Sequence, residues 1–109
     1  MKLLIAGSRC IEEFDLTGYV HCDVELIISG GARGIDTIAE QYADEHGIQK
    51  QIFLPNYNAY GRSAPIKRNE KMVDACDMVL AVWDGRSKGT GYTINYARKK
   101  GKKIIEVIV

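Results

Sequence analysis

The chain has 109 residues, of which 46% are hydrophobic and 27% charged, and its formal net charge is +1. That length suits one domain with a real core rather than two, so residues 1–109 are read as a single domain. The near-neutral balance argues against a general polyanion binder, and no stretch approaches the ~20 apolar residues that span a bilayer, so no membrane partner is expected.

Lys2–Ala6 opens the chain as a short aliphatic run and reaches Gly7 too early for a signal peptide. Gly7-Ser8-Arg9 follows, and Glu12–Val20 then reads as a helix. Cys10, Cys22 and Cys76 are odd in number and lack a C-x-x-C spacing. That pattern suits reduced thiols in a cytoplasm better than a disulfide framework or a zinc site, so no metal is expected.

The second run, Val24–Ser29, leads into Gly30-Gly31-Ala32-Arg33-Gly34-Ile35-Asp36. Glycines where a strand turns into a helix let backbone approach a ligand closely. The helix beyond offers unpaired N–H groups and the positive end of its dipole to an anion. Arg33 adds a guanidinium, and Asp36 sits in the first turn, where negative charge is favourable. Ile35, Ile38, Ala39, Tyr42 and Ala43 recur at helical spacing, with Gly47 as the stop.

Gln51–Leu54 is the third strand-like run, and the polar stretch after Pro55 carries Tyr57 and Tyr60, suited to a lid or to covering a sheet edge. Ala64–Cys76 reads as a helix with Pro65 near its start and Ile66, Met72, Val73 and Cys76 turned inward; it also carries Arg68 and Asn69. Met78–Val82 is a fourth strand, followed by Trp83-Asp84-Gly85-Arg86-Ser87-Lys88-Gly89-Thr90-Gly91. Thr90–Lys100 is a last helix, and Lys103–Ile108 a fifth strand. Trp83 ends a strand, where packing is commoner than stacking on a ligand. His21 and His46 fall outside the loops, and the basic cluster Arg98–Lys103 suits the negative end of a helix.

Strands alternating with helices predict a three-layer, Rossmann-like α/β domain around a parallel five-stranded sheet of order 3-2-1-4-5. Its ligand crevice should lie at the carboxyl ends of the strands, between the first and fourth. The loops after the first, second and fourth strands each couple glycine with hydroxyl or cationic side chains, the inventory that phosphate oxygens need. On this reading Gly30–Gly34 and Ser87–Thr90 hold phosphate, and Arg9, Arg33 and Arg68 balance its charge. Asp36, Asn69 and Asp84 orient ribose or base, with Gly7, Ser8 and Gly85 completing the loops. Neither the Walker motif nor the Gly-x-Gly-x-x-Gly fingerprint is present, and no cofactor is required.

Gly7-Ser8-Arg9, Ser29 through Asp36, Gly61 through Arg68-Asn69 to Met72, and Asp77 through Asp84-Gly85 to Gly89-Thr90 resemble the SLOG superfamily. Within it the chain is most similar to the small YspA-like branch, related to LOG-type phosphoribohydrolases and DprA/Smf proteins. The resemblance implies a Rossmann-like domain that binds or senses a nucleotide or nucleotide-derived ligand, and it also implies a homodimer. The LOG-type enzymes cleave nucleoside monophosphates at the N-glycosidic bond with Arg-Lys-x-x-Met and Pro-Gly-Gly-x-Gly-Thr-x-x-Glu. Here Asn69 replaces the lysine and Thr93 stands at the glutamate position. Glycosidic cleavage wants a carboxylate, so a hydrolase would have to rely on Arg68 with Asp84 or Asp36. The DprA-type proteins share Ser-Gly-x-Ala-Arg-Gly-Ile-Asp and bind single-stranded DNA. That reading would enlist Arg62, Lys67, Arg68, Lys71, Arg86 and Lys88, with tyrosines or Trp83 as stacking platforms.

Overall fold

The computed structural model describes residues 1–109. Five strands, β1 (Lys2–Gly7), β2 (Leu26–Ser29), β3 (Gln49–Ile52), β4 (Met78–Trp83) and β5 (Lys103–Ile108), form one sheet. All neighbours are parallel and the order is β3-β2-β1-β4-β5, as the alternation of runs predicts. The helices are α1 (Ile35–Glu45), α2 (Tyr57–Tyr60), α3 (Ala64–Ala75) and α4 (Lys88–Lys99), with a 3-10 turn at Gly61–Ser63 between α2 and α3. No helix is long and apolar enough to cross a membrane.

Strand alternation sends successive side chains to opposite faces, and the core divides accordingly. Leu3, Ile5, Ile27, Leu80 and Val82 pack with Ile35, Ala39 and Ala43 of α1. Leu4, Ala6, Ile28, Val79 and Ala81 pack with Met72 and Val73 of α3 and with Ile94 and Ala97 of α4. The result is a three-layer, Rossmann-like α/β fold. Because β1 and β4 are covered on both faces, Leu3-Leu4-Ile5-Ala6 and Met78–Trp83 are unbroken apolar runs.

Several local expectations need correction. Glu12–Val20 is not a helix: Asp15 accepts the Thr17 N–H at 2.9 Å, and the Leu16 carbonyl accepts from Tyr19 and Val20, so side chain and turn compete with helical bonding. This segment still covers the α1 face of the sheet, because Leu16 is 1% exposed and joins that core. Val24 is a buried plug in a turn (its N–H donates to the His21 carbonyl), and pairing begins only at Leu26. β3 lies two residues earlier than Gln51–Leu54 and is exposed throughout, as an edge strand allows. Its last bond runs from Phe53 N–H to Ser29 O, just before Leu54 is drawn into the turn at Pro55. Ile66 points outward and is 41% exposed; the inward places at the start of α3 go to Ala64 and Asn69. α4 starts at Lys88, two residues before the expected Thr90, and the stretch after Pro55 contains the short helix α2.

Candidate ligand-binding cleft

A cleft of about 360 Å3 opens at the carboxyl ends of β1 and β4, where the strand order reverses. Ser8 builds its floor. Its N–H bonds the Val82 carbonyl, its carbonyl accepts the Ile35 N–H, and its hydroxyl accepts the Asp84 N–H at 3.1 Å. One buried serine therefore ties the loops after β1 and β4 to the start of α1. Gly34 completes that junction with a φ of 77°; a Cβ there would lie 2.4 Å from the Ser8 carbonyl oxygen.

The loop after β2 is folded on itself. Gly31 N–H donates to Ser29 Oγ at 3.3 Å and Ala32 N–H to Asp36 Oδ2 at 3.1 Å. Three amides of the expected phosphate loop, counting Ile35, thus already have partners. Asp36 is only 8% exposed, and burial raises its carboxyl pKa to about 6 despite the Ala32 N–H and the nearby charge of Arg68. Glu40 adds to the upward shift and is held by the Ser29 hydroxyl at 2.8 Å.

α3 contributes Arg68 and Asn69. The Arg68 Nη1 donates to the Gly30 carbonyl at 2.6 Å and Nε to Asn69 Oδ1 at 2.8 Å. Gly30 gives these side chains room, since a Cβ would meet Arg68 Nη1 at 2.9 Å and Asp36 Oδ2 at 3.0 Å. Asn69 Nδ2 and Thr93 Oγ1 both donate to the Gly89 carbonyl, at 3.5 and 3.0 Å, and so fix the first turn of α4.

That first turn is open. No side chain caps it, and the amides of Lys88, Gly89 and Thr90 have no partner before the Gly91–Ser87 bond begins the helix. Preceding it, Asp84 Oδ1 accepts the Arg86 and Ser87 N–H groups, which holds its pKa below the ordinary carboxylate value. The helix start thus presents unpartnered amides at the cleft wall, beside the turn that Asp84 orders.

The cleft brings together Gly7, Ser8, Arg9, Ala32, Asp36, Arg68, Asn69, Asp84, Ser87, Gly89 and Thr90. Gly30, Gly31 and Arg33 instead line a neighbouring cleft, while Gly34 and Gly85 line neither. Sequence reading missed Ala6, Cys10, Met72 and Thr93 as lining residues. Helical spacing carried the signal for two of them: Met72 follows Arg68 by four positions, and Thr93 follows Gly89 by four. Trp83 packs over Gly91 and donates from Nε1 to Glu106 at 2.9 Å, so it braces the sheet end. His46 stacks on Tyr42 at the end of α1, away from the cleft. No group of three or more His, Cys, Asp and Glu side chains is arranged to hold a metal.

No family model matches the chain, and no solved structure matches it significantly. Over 86 residues it is 33% identical to the Gene 61 protein of Mycobacterium phage D29, a match covering 73% of this chain and 69% of the phage protein. At that identity and coverage the chain belongs to the same family as the Gene 61 protein of Mycobacterium phage D29.

Proposed function

We propose that this protein binds a nucleotide or nucleotide-derived ligand at the switch-point cleft. The observation that carries the reading is the uncapped first turn of α4, which faces a cleft that also holds Arg9 and Arg68. Arg9 is exposed and belongs to no ion pair, so its guanidinium is available to phosphate oxygens. Asp36 and Asn69, deeper in the cleft, supply acceptor and donor for a sugar or base. Similarity of the loops to the SLOG superfamily, YspA-like branch, supports the same assignment. A thermal-shift series with nucleoside mono- and diphosphates tests it. A ligand at ~100 times its Kd adds ~2.7 kcal/mol of stability. Arg9→Ala should weaken binding roughly 10-fold or more, the loss expected for a charge-assisted hydrogen bond. Absence of stabilisation by every nucleotide would refute the proposal. The expected homodimer rests on the resemblance, and sedimentation velocity distinguishes it from a monomer.

One observation favours a second reading, hydrolysis of a nucleotide N-glycosidic bond. Thr93 stands where a LOG-type enzyme has glutamate, and its hydroxyl is engaged with the Gly89 carbonyl. Asp36, however, places a carboxyl with a pKa near neutrality in the same cleft, as a general acid or base requires. Release of free base from a nucleoside monophosphate, followed by chromatography and lost in Asp36→Asn, is the outcome this reading expects. Intact nucleotide after prolonged incubation with wild-type protein leaves binding alone.

A further inference from the structure

Exposed apolar side chains are unevenly distributed over the molecule. Ile52, Leu54, Tyr57, Tyr60 and Ile66 all fall between the end of β3 and the first turn of α3, and the others, Ile108 and Val109, end the chain. Leu54 and Tyr57, 70% and 60% exposed, form one wall of a second cleft of about 340 Å3. Arg9, Arg33 and Arg68 line it as well. Arg9, Ala32 and Arg68 line both clefts, so the two adjoin along a shared ridge.

The chemistry of the second cleft differs from that of the first. It has no carboxylate in its lining, and Arg33, like Arg9, is free of ion pairs. Its lining combines aromatic and aliphatic side chains with cations. A flat heterocycle attached to phosphate satisfies both halves: the ring stacks on tyrosine, and guanidinium groups take the oxygens. Leu54 lies close over Gly31, where a Cβ would come within 2.8 Å of Leu54 Cδ2. Each cleft lies near the lower limit of small-molecule sites, whereas the pair offers room for a two-ended ligand.

Building on the nucleotide reading of the first cleft, we propose that the ligand is a dinucleotide, two nucleosides joined by a short phosphate bridge. One end occupies the switch-point cleft, the bridge crosses the ridge between Arg9 and Arg68, and the second base stacks on Tyr57.

Calorimetric titration compares dinucleoside diphosphates carrying adenine, guanine, cytosine or uracil with their parent nucleoside diphosphates. The preferred dinucleotide should bind at least roughly 10-fold more tightly than its parent, the gain expected from one added stacking contact. Tyr57→Ala should abolish that gain while leaving the parent's affinity within about twofold, and Arg33→Ala should reduce it. Both positions are exposed, so the variants should fold, and thermal melts verify it. Equal affinity for dinucleotide and parent, insensitive to Tyr57→Ala, overturns the two-ended ligand and leaves nucleotide binding standing. Failure of wild-type protein to bind any nucleotide overturns both.

Discussion

Asp36 concentrates the chemistry of the cleft in one side chain. Its pKa rises from 3.8 to about 6 because burial penalises the charged form. The folded protein therefore holds a proton that the unfolded chain has released between about pH 4 and 6. Stability from this group is full below about pH 4, falls as pH rises through that window, and stays lowest above about pH 6. The cost at neutral pH is roughly 3 kcal/mol, since each tenfold change in proton affinity is worth about 1.36 kcal/mol. Asn in its place keeps an acceptor for the Ala32 N–H and carries no charge. Asp36→Asn should thus gain about 1–3 kcal/mol in urea melts near pH 7.5, with the difference shrinking towards zero near pH 4. A gain independent of pH would locate the effect in packing. An acid that lowers stability at neutral pH and faces a cleft is a candidate functional group on physical grounds. Asp36 was legible in sequence as a first-turn aspartate; its burial was not, because that comes from Gly30 and α3 closing over it.

At the scale of elements, the parallel strands were legible because two covered faces demand an apolar residue at nearly every position. β3 reads Gln49-Lys50-Gln51-Ile52, and an edge strand with exposed faces leaves no such trace. Loops after β1, β2 and β4 were legible from their glycines. What their sequences did not reveal was the division of labour: the β2 loop bonds its amides internally, and the α4 start leaves them open. The segment 8–25 illustrates another limit. A connection between parallel strands is usually helical, and Glu12–Val20 reads as a helix on a weak pattern. The chain instead anchors this segment with the buried Leu16 and Val24, and Ile11, Phe14, Tyr19 and Val20 pack around the same core. Leu16→Ala should cost about 2–4 kcal/mol in chemical denaturation, as other buried Leu→Ala truncations do. Glu13→Ala, on the exposed side of the same segment, should stay within about 0.5 kcal/mol. Equal effects would remove Leu16 from its role as an anchor.

For the whole molecule, the net charge of +1 conceals a local cluster of three arginines. Arg9, Arg33 and Arg68 gather at the carboxyl end of the sheet, where Asp36 and Asp84 offset part of their charge. On the nucleotide reading proposed above, so compact a cluster suits a small ligand better than single-stranded DNA. A polynucleotide would have to track beyond the clefts, over Lys67, Lys71 and Lys88. Lys67 lies 3.9 Å from Glu70, and Lys71 sits 5.3 Å from the centre of the Tyr60 ring, so two of those cations already have neighbours. Binding to a single strand falls with salt at a slope of about 0.7 per phosphate neutralised, so a strand engaging about six phosphates loses ten-thousand-fold or so between roughly 50 and 500 mM salt. A compact ligand held by two or three arginines and a helix start, partly shielded from solvent, loses far less, because buried pairs are only weakly screened. Nucleotide affinity measured by calorimetry should therefore fall by less than about 10-fold over that range. A steep loss with an oligonucleotide, together with tighter binding than any mono- or dinucleotide at the low-salt end, would assign the arginine-lined end of the sheet to DNA. A shallow slope confined to small ligands assigns it to a nucleotide whose phosphates rest between Arg9 and the start of α4.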